Sequence, residues 1–101
     1  MTLEQLDARL GAERIVPMPV AEWESLAAQI DEVERHDTFI AGALLVVRTP
    51  GGLAAVEQPN PGTRVVRRLA SGRDARQFVD GRLETYDNMW NGCGCKVRYY
   101  E

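Results

Sequence analysis

Apolar residues recur at steps of three and four in three stretches of the chain, and this spacing predicts three helices. The first is short and begins after Thr2, which has the spacing of a capping box with Gln5, and Gly11 is expected to end it. The second is expected to begin at Pro19 and to keep one apolar face as far as Val33.

The third predicted helix is the longest and has the clearest amphipathic face. It is expected to begin after Ser71, because Asp74 stands in the answering position of a capping box. The apolar positions keep helical spacing as far as Trp90. Asn91 and Gly92 then have the character of a left-handed helix end.

Between the second and third helices, short apolar segments separated by proline- and glycine-rich turns predict strands at residues 38–49, 53–58 and 63–69. Such short turns join antiparallel neighbours, so these strands form a meander. Both faces of residues 38–49 are apolar, which is typical of a central strand covered on both sides. Residues 96–100 predict a final strand, and the two prolines of residues 14–19 predict an extended linker.

Together these elements predict a single α+β domain over residues 1–101. Its sheet is expected to have three to four antiparallel strands, consisting of the meander and the C-terminal strand. Two longer helices and a short N-terminal helix are expected to pack on the sheet, with the long helices on one side of it.

Length and composition favour a small soluble domain. The chain has 101 residues, of which 45% are hydrophobic, so we expect one modest core that a homo-oligomer would enlarge. Acidic residues interrupt the N-terminus, and no apolar run approaches the roughly 20 residues that span a bilayer. Two cysteines are too few for a secreted disulfide scaffold. The sequence therefore predicts a cytoplasmic protein without a membrane partner.

Charge is distributed unevenly along the chain. Residues 1–63 carry four arginines and ten acidic residues, whereas residues 64–101 carry eight basic and five acidic residues. The two halves can face each other within one monomer, or steer the chain towards a second copy or an anionic partner. The overall charge of −3 and the few aromatic residues among the arginines argue against nucleic acid as the partner.

Cys93 and Cys95 form a Cys-Gly-Cys motif directly after the predicted end of the third helix. At this spacing in an extended chain both sulfurs project to the same side. They can form an easily reduced disulfide, chelate a soft metal such as zinc or copper(I), or supply half of a four-sulfur site shared by two subunits. The alternative is that both are small buried apolar residues in a tight turn.

His36 is the only histidine, and we interpret it as a possible third ligand of a metal bound by the cysteines. The alternative is a partly exposed residue near the end of the second helix, where its charge favours the helix dipole. No nucleophile-elbow pattern accompanies it, so the sequence does not support a hydrolase, and an enzymatic function is the less favoured interpretation.

Basic residues surround the predicted start of the third helix. Arg67, Arg68 and Arg73 flank Ser71 and Gly72, where backbone N–H groups of the first helical turn are available, so these five residues predict a phosphate or carboxylate site. The alternative is that these arginines are solvated and paired with acidic residues of the second helix.

Aromatic residues surround the cysteine turn, as they often surround protein interfaces. Tyr99 and Tyr100 alternate, so one of them faces away from the core and is a candidate interface residue. We therefore expect a small binding or accessory module, homodimeric, with its contact surface at the Cys-Gly-Cys turn and the last strand. The alternative is a thiol-based metal-binding or redox protein that uses Cys93 and Cys95.

Overall fold

A computed structural model of the chain describes residues 1–38 and 42–92, with side chains described as far as residue 86. In chain order the elements are α1 (Leu3–Glu13), β1 (Ile15–Pro19), α2 (Val20–Ala27), β2 (Asp31–Thr38), β3 (Gly42–Thr49), β4 (Gly52–Asn60), β5 (Thr63–Arg68) and α3 (Gly72–Gly92). These elements confirm the α+β class.

The strands form one antiparallel sheet in the order β1-β5-β4-β3-β2. The predicted meander is confirmed as β3, β4 and β5, but its first strand begins at Gly42 rather than at residue 38, because Thr38 ends β2 and residues 39–41 lie outside the described residues. β3 lies inside the sheet, as its apolar faces require. The described residues contain five strands rather than three to four, because β2 extends the meander on one side and β1 on the other. The strand predicted at residues 96–100 lies outside the described residues.

Two segments take structures that their sequence pattern does not predict. The second helix ends at Ala27, and the residues expected to continue it form a turn and then the start of β2. In β2, Val33 is exposed and lies at a bulge between Glu32 and Glu34. The helical spacing of Val33 was therefore misleading, because this side chain does not enter the core. Residues 14–19 were expected to be linker, but β1 pairs with β5 and tolerates its two prolines because it is an edge strand.

The predicted N-terminal caps of α1 and α3 are confirmed in whole and in part, respectively, and the predicted end of α1 is wrong. Thr2 and Gln5 form the complete capping box of α1. Gly11 does not end this helix, which continues to Glu13 and closes at Arg14 in a left-handed conformation with φ 66°. At α3, the Ser71 hydroxyl accepts a hydrogen bond from the N–H of Asp74 at 3.2 Å.

Each face of the sheet is covered by its own helices, which corrects the expectation that the long helices share one side. The reason is that the interior strands carry apolar residues on both faces. The core beneath α1 and α2 consists of Leu6, Leu10, Val16, Met18, Trp23, Leu26, Leu45, Val47, Ala54, Val56 and Val66. The core beneath α3 consists of Leu44, Val46, Ala55, Leu69, Ala75 and Val79.

A partly buried polar network ties α1 to the sheet. The carboxylate of Asp7 forms an ion pair with Arg68 of β5 and accepts hydrogen bonds from the hydroxyl of Thr49 and the N–H of Gly51. The side chains of Asp7 and Arg68 are 17% and 15% exposed, so both charges are largely removed from water. The network therefore joins α1, the β3–β4 turn and β5 at one point.

Replacing Asp7 with alanine is expected to lower the free energy of unfolding by about 3–5 kcal/mol, because the guanidinium of Arg68 would remain buried without its carboxylate. Urea unfolding followed by circular dichroism measures this change. Glu13→Ala is the matched control in the same helix, because the contact of Glu13 with Arg9 at 2.8 Å is exposed to water and contributes little. Equal losses in the two variants would contradict a structural role for Asp7.

Candidate anion-binding site

Three arginines line one pocket between β1, β5 and the start of α3. The pocket has a volume of about 300 Å³. Its lining consists of Arg14, Ile15, Arg67, Arg68, Leu69, Asp74 and Phe78. We call this feature the arginine pocket, and each of its arginines has a different electrostatic environment.

Arg14 is held by its backbone and leaves its side chain exposed. Its N–H donates to the carbonyl of Leu10 at 2.9 Å, and its own carbonyl accepts from the N–H of Arg68 at 2.9 Å. These two bonds place Arg14 at the point where α1 turns into β1. Within the described residues its guanidinium has no ion-pair partner. Arg14 therefore presents an uncompensated positive charge at the pocket.

Arg68 lines the pocket, but its guanidinium is already engaged. It pairs with Asp7, and it donates to the carbonyl of Leu53 at 3.0 Å and to the Thr49 hydroxyl at 3.2 Å. These contacts occupy both terminal nitrogens of the guanidinium. Arg68 is therefore a structural residue that contributes little net charge to the pocket.

Arg67 points to the opposite face of the sheet, towards α3. Its guanidinium carbon lies 5.1 Å from the centroid of the Phe78 ring, within the range of a cation–π contact. Its nearest carboxylate oxygen is Oε1 of Glu57, at 3.9 Å from Nη2. Its Nε is buried and has no hydrogen-bond partner in the described part of the chain. Arg67 is thus a partly desolvated cation with only a distant counter-charge.

Glu57 cannot fully neutralise Arg67 because it has two closer partners. Nε of Arg82 lies 2.7 Å from Oε2 of Glu57, although its N–H is not directed at that oxygen as in a hydrogen bond. The hydroxyl of Tyr86 donates to the same oxygen at 3.2 Å. The Arg82 guanidinium carbon lies 5.0 Å from the Phe78 centroid. Two arginines therefore share one carboxylate and one aromatic ring.

The first turn of α3 supplies a carboxylate to the pocket rather than open N–H groups. Oδ2 of Asp74 accepts a hydrogen bond from the N–H of Ala70 at 2.8 Å, which fixes its position. Ser71 uses its hydroxyl to cap the helix, and Gly72 and Arg73 are exposed. Ser71, Gly72 and Arg73 are not among the lining residues of the pocket.

The structure thus brings together two of the five residues in the predicted anion site, Arg67 and Arg68. It adds Arg14 and Phe78, which the sequence analysis did not associate with the site. The local sequence does not identify Arg14 as the residue that ends α1. It has a φ of 66°, a conformation that a non-glycine residue seldom adopts. Phe78 was interpreted only as part of an apolar helix face, and its second role as a surface for Arg67 follows from the packing of α3.

His36 lies on β2 rather than at the end of a helix. Its Nε2 is 3.0 Å from Oε2 of Glu34, and Oε1 of Glu34 is 3.4 Å from Nη2 of Arg76 on α3. The hydrogen bond with His36 lowers the pKa of the Glu34 carboxyl, and the charge of Arg76 adds to this effect. In the described part of the chain, His36 is not one of three or more metal-binding side chains grouped together.

The other predicted site residues lie outside the described residues. These are Cys93, Cys95, Tyr99 and Tyr100. Among the described residues, no helix has the length and apolar character needed to cross a membrane.

Tyr86 provides a spectroscopic test of the Glu57 cluster. Burial, followed by the negative charge of Glu57, raises the pKa of its phenol. The folded protein is therefore expected to keep this proton at an alkaline pH where the unfolded chain has lost it. Because the unfolded state then binds fewer protons, the stability contributed by Tyr86 is present below its unfolded pKa of about 10 and falls as the pH rises above it.

An ultraviolet titration of phenolate absorbance measures this effect. One of the three tyrosines is expected to titrate late in the folded protein. The Tyr86→Phe variant should lack this late component, and in urea all tyrosines should titrate together. A late component that survives in Tyr86→Phe would contradict the assignment.

No protein-family model, curated protein or solved structure matches this chain.

Proposed function

We propose that this protein is a small binding module that takes an anionic ligand in the arginine pocket. The observation that carries the proposal is the position of Arg14 and Arg67 on one pocket, neither of them held by a close carboxylate. Charge-assisted hydrogen bonds from guanidinium groups to carboxylates or phosphates are among the stronger polar contacts in proteins. A pocket with two guanidinium groups that lack a close carboxylate favours an anion over a neutral ligand.

Binding is favoured over catalysis by the remaining lining residues. Asp74 is the one carboxylate of the lining, and its oxygen accepts the hydrogen bond from Ala70 at the helix start. Ile15, Leu69 and Phe78 offer apolar surface. This set of side chains can hold and orient a ligand.

Replacing Arg67 with glutamine is expected to weaken anion binding about tenfold or more, since a charge-assisted contact contributes about 1.5–3 kcal/mol. The measurement is a titration at low ionic strength, with acetate as the anion, following the guanidinium N–H signals by NMR. Arg73→Gln is the matched control, because Arg73 is a neighbouring exposed arginine outside the pocket. An equal loss in both variants would indicate general surface charge and contradict the proposal.

We further propose that the module is homodimeric and uses the C-terminal segment with Tyr99 and Tyr100 as its contact surface. The two edges of the described sheet support this choice, because neither is suited to pairing with another chain. β1 contains two prolines, and β2 has a bulge and six charged or histidine side chains among its eight residues. Such features protect edge strands from association. α3 continues to Gly92, directly before Cys93.

A thiol-based function is the second candidate. In this reading Cys93 and Cys95 hold zinc or copper(I) or form a reversible disulfide, with His36 as a possible third ligand. The hydrogen bond from His36 to Glu34 favours it, because metal-binding histidines commonly pair their second ring nitrogen with a carboxylate. The bond leaves Nδ1 of His36 as the nitrogen that would face a metal.

A variant with both cysteines replaced by serine separates these two candidates. If the C-terminal segment is a contact surface, the variant should remain folded and dimeric by sedimentation, and the native protein should show two free thiols and no metal. Bound metal in elemental analysis, or two thiols that appear only after reduction, would instead favour the thiol-based function. Loss of the metal from His36→Ala would place that residue among the ligands.

A further inference from the structure

We propose that the ligand of the arginine pocket is a small organic monocarboxylate with a flat apolar body, rather than inorganic phosphate. This inference rests on the proposed anion-binding function and assigns the chemical class of the ligand. Three features of the pocket carry it: its size, its apolar wall and its charge balance.

The volume of the pocket favours an organic molecule. At about 300 Å³, the pocket is at the lower end of the range for small-molecule sites in proteins. A single inorganic ion would leave most of this space to water. A ring that bears one carboxylate would occupy a larger share of it, since a cavity of about 150 Å³ is enough to hold a benzene ring.

The lining of the pocket includes three apolar residues. Ile15 is 39% exposed, which is unusual among the large apolar residues of the described chain. Leu69 and Phe78 lie beside it in the lining, and the Phe78 ring already stacks with the guanidinium of Arg67. A flat ligand that covers Ile15 and the partly exposed side chain of Phe78 would remove apolar area from water, and its carboxylate would lie near Arg67.

The fixed charges favour a ligand with a single negative charge. Arg14 and Arg67 contribute two positive charges that lack a close carboxylate, and Asp74 contributes one negative charge. Arg68 is balanced by Asp7, and Arg82 by Glu57. The pocket therefore has an excess of one positive charge. A phosphate dianion would exceed this excess and would meet the carboxylate of Asp74, which its bond to Ala70 holds in place.

The test compares four probes on the full-length protein: benzoate, acetate, benzamide and inorganic phosphate. Benzoate is expected to bind about tenfold more tightly than acetate, because only benzoate has the apolar body. Benzamide, which has the ring without the charge, and phosphate should both bind more weakly than benzoate. Binding is measured by calorimetry and by NMR of the guanidinium signals.

Two variants assign the binding to the pocket. Arg14→Gly removes one guanidinium at a position with φ 66°, which glycine adopts without strain, so the variant is expected to fold and to bind benzoate more weakly. Phe78→Leu is expected to weaken benzoate more than acetate, because both ligands lose the ring that contacts Arg67, whereas only benzoate also packs on Phe78 itself. Arg73→Gln is the control and should leave benzoate binding unchanged.

The outcomes distinguish the two proposals. If phosphate binds in the pocket and benzoate binds no more tightly than acetate, the ligand class is wrong while the anion-binding function stands. If no anion perturbs the signals of Arg14 and Arg67, both proposals are overturned. Benzoate binding that Arg14→Gly and Phe78→Leu leave unchanged would also overturn the ligand class, because the binding would then lie elsewhere.

Discussion

The structure depends on the burial of both faces of its central strands. In β3, Leu45 and Val47 face α1 and α2, whereas Leu44 and Val46 face α3. Each such side chain contributes about 1.5–3 kcal/mol when it leaves water, so neither face can remain uncovered. The two short helices share one face, and the single long helix α3 covers the other. The sheet is therefore the middle of three layers.

The charged residues follow from this layering, because several of them pair between a helix and the sheet or between two parts of it. Asp7 pairs with Arg68, Glu57 with Arg82 and Glu34 with Arg76. Each pair joins the acidic first part of the chain to the basic last part, so the uneven charge distribution is used largely within the monomer. The partners of the arginines lie on α1, β2 and β4 and not on the second helix. The arginine pocket lies at the margin where this pairing leaves positive charge in excess.

The candidate site was only partly predictable, for reasons that differ by residue. The clustering of Arg67 and Arg68 before a capped helix is visible in the sequence, but the ion pair that makes Arg68 structural is not. That pair joins residues far apart in the chain and exists only once α1 packs on the sheet. Arg14 enters the site because β1 pairs with β5 and brings the end of α1 beside it. Residues 93–101 lie outside the described residues, so the proposed roles of the cysteines and tyrosines there rest on the sequence alone.

Local patterns determined the capped start of α1, the meander of β3, β4 and β5, and the long amphipathic helix α3. Each of these depends on residues close together in the chain, whose hydrophobic period and turn chemistry agree. Only tertiary structure decided β1 and β2. Neither edge strand has a pattern strong enough to specify its own conformation, and β2 even has the apolar spacing of a helix at Val33. Their conformation is set by the backbone hydrogen bonds that β5 and β3 offer at the two open edges of the meander, and those partners exist only after the sheet has formed.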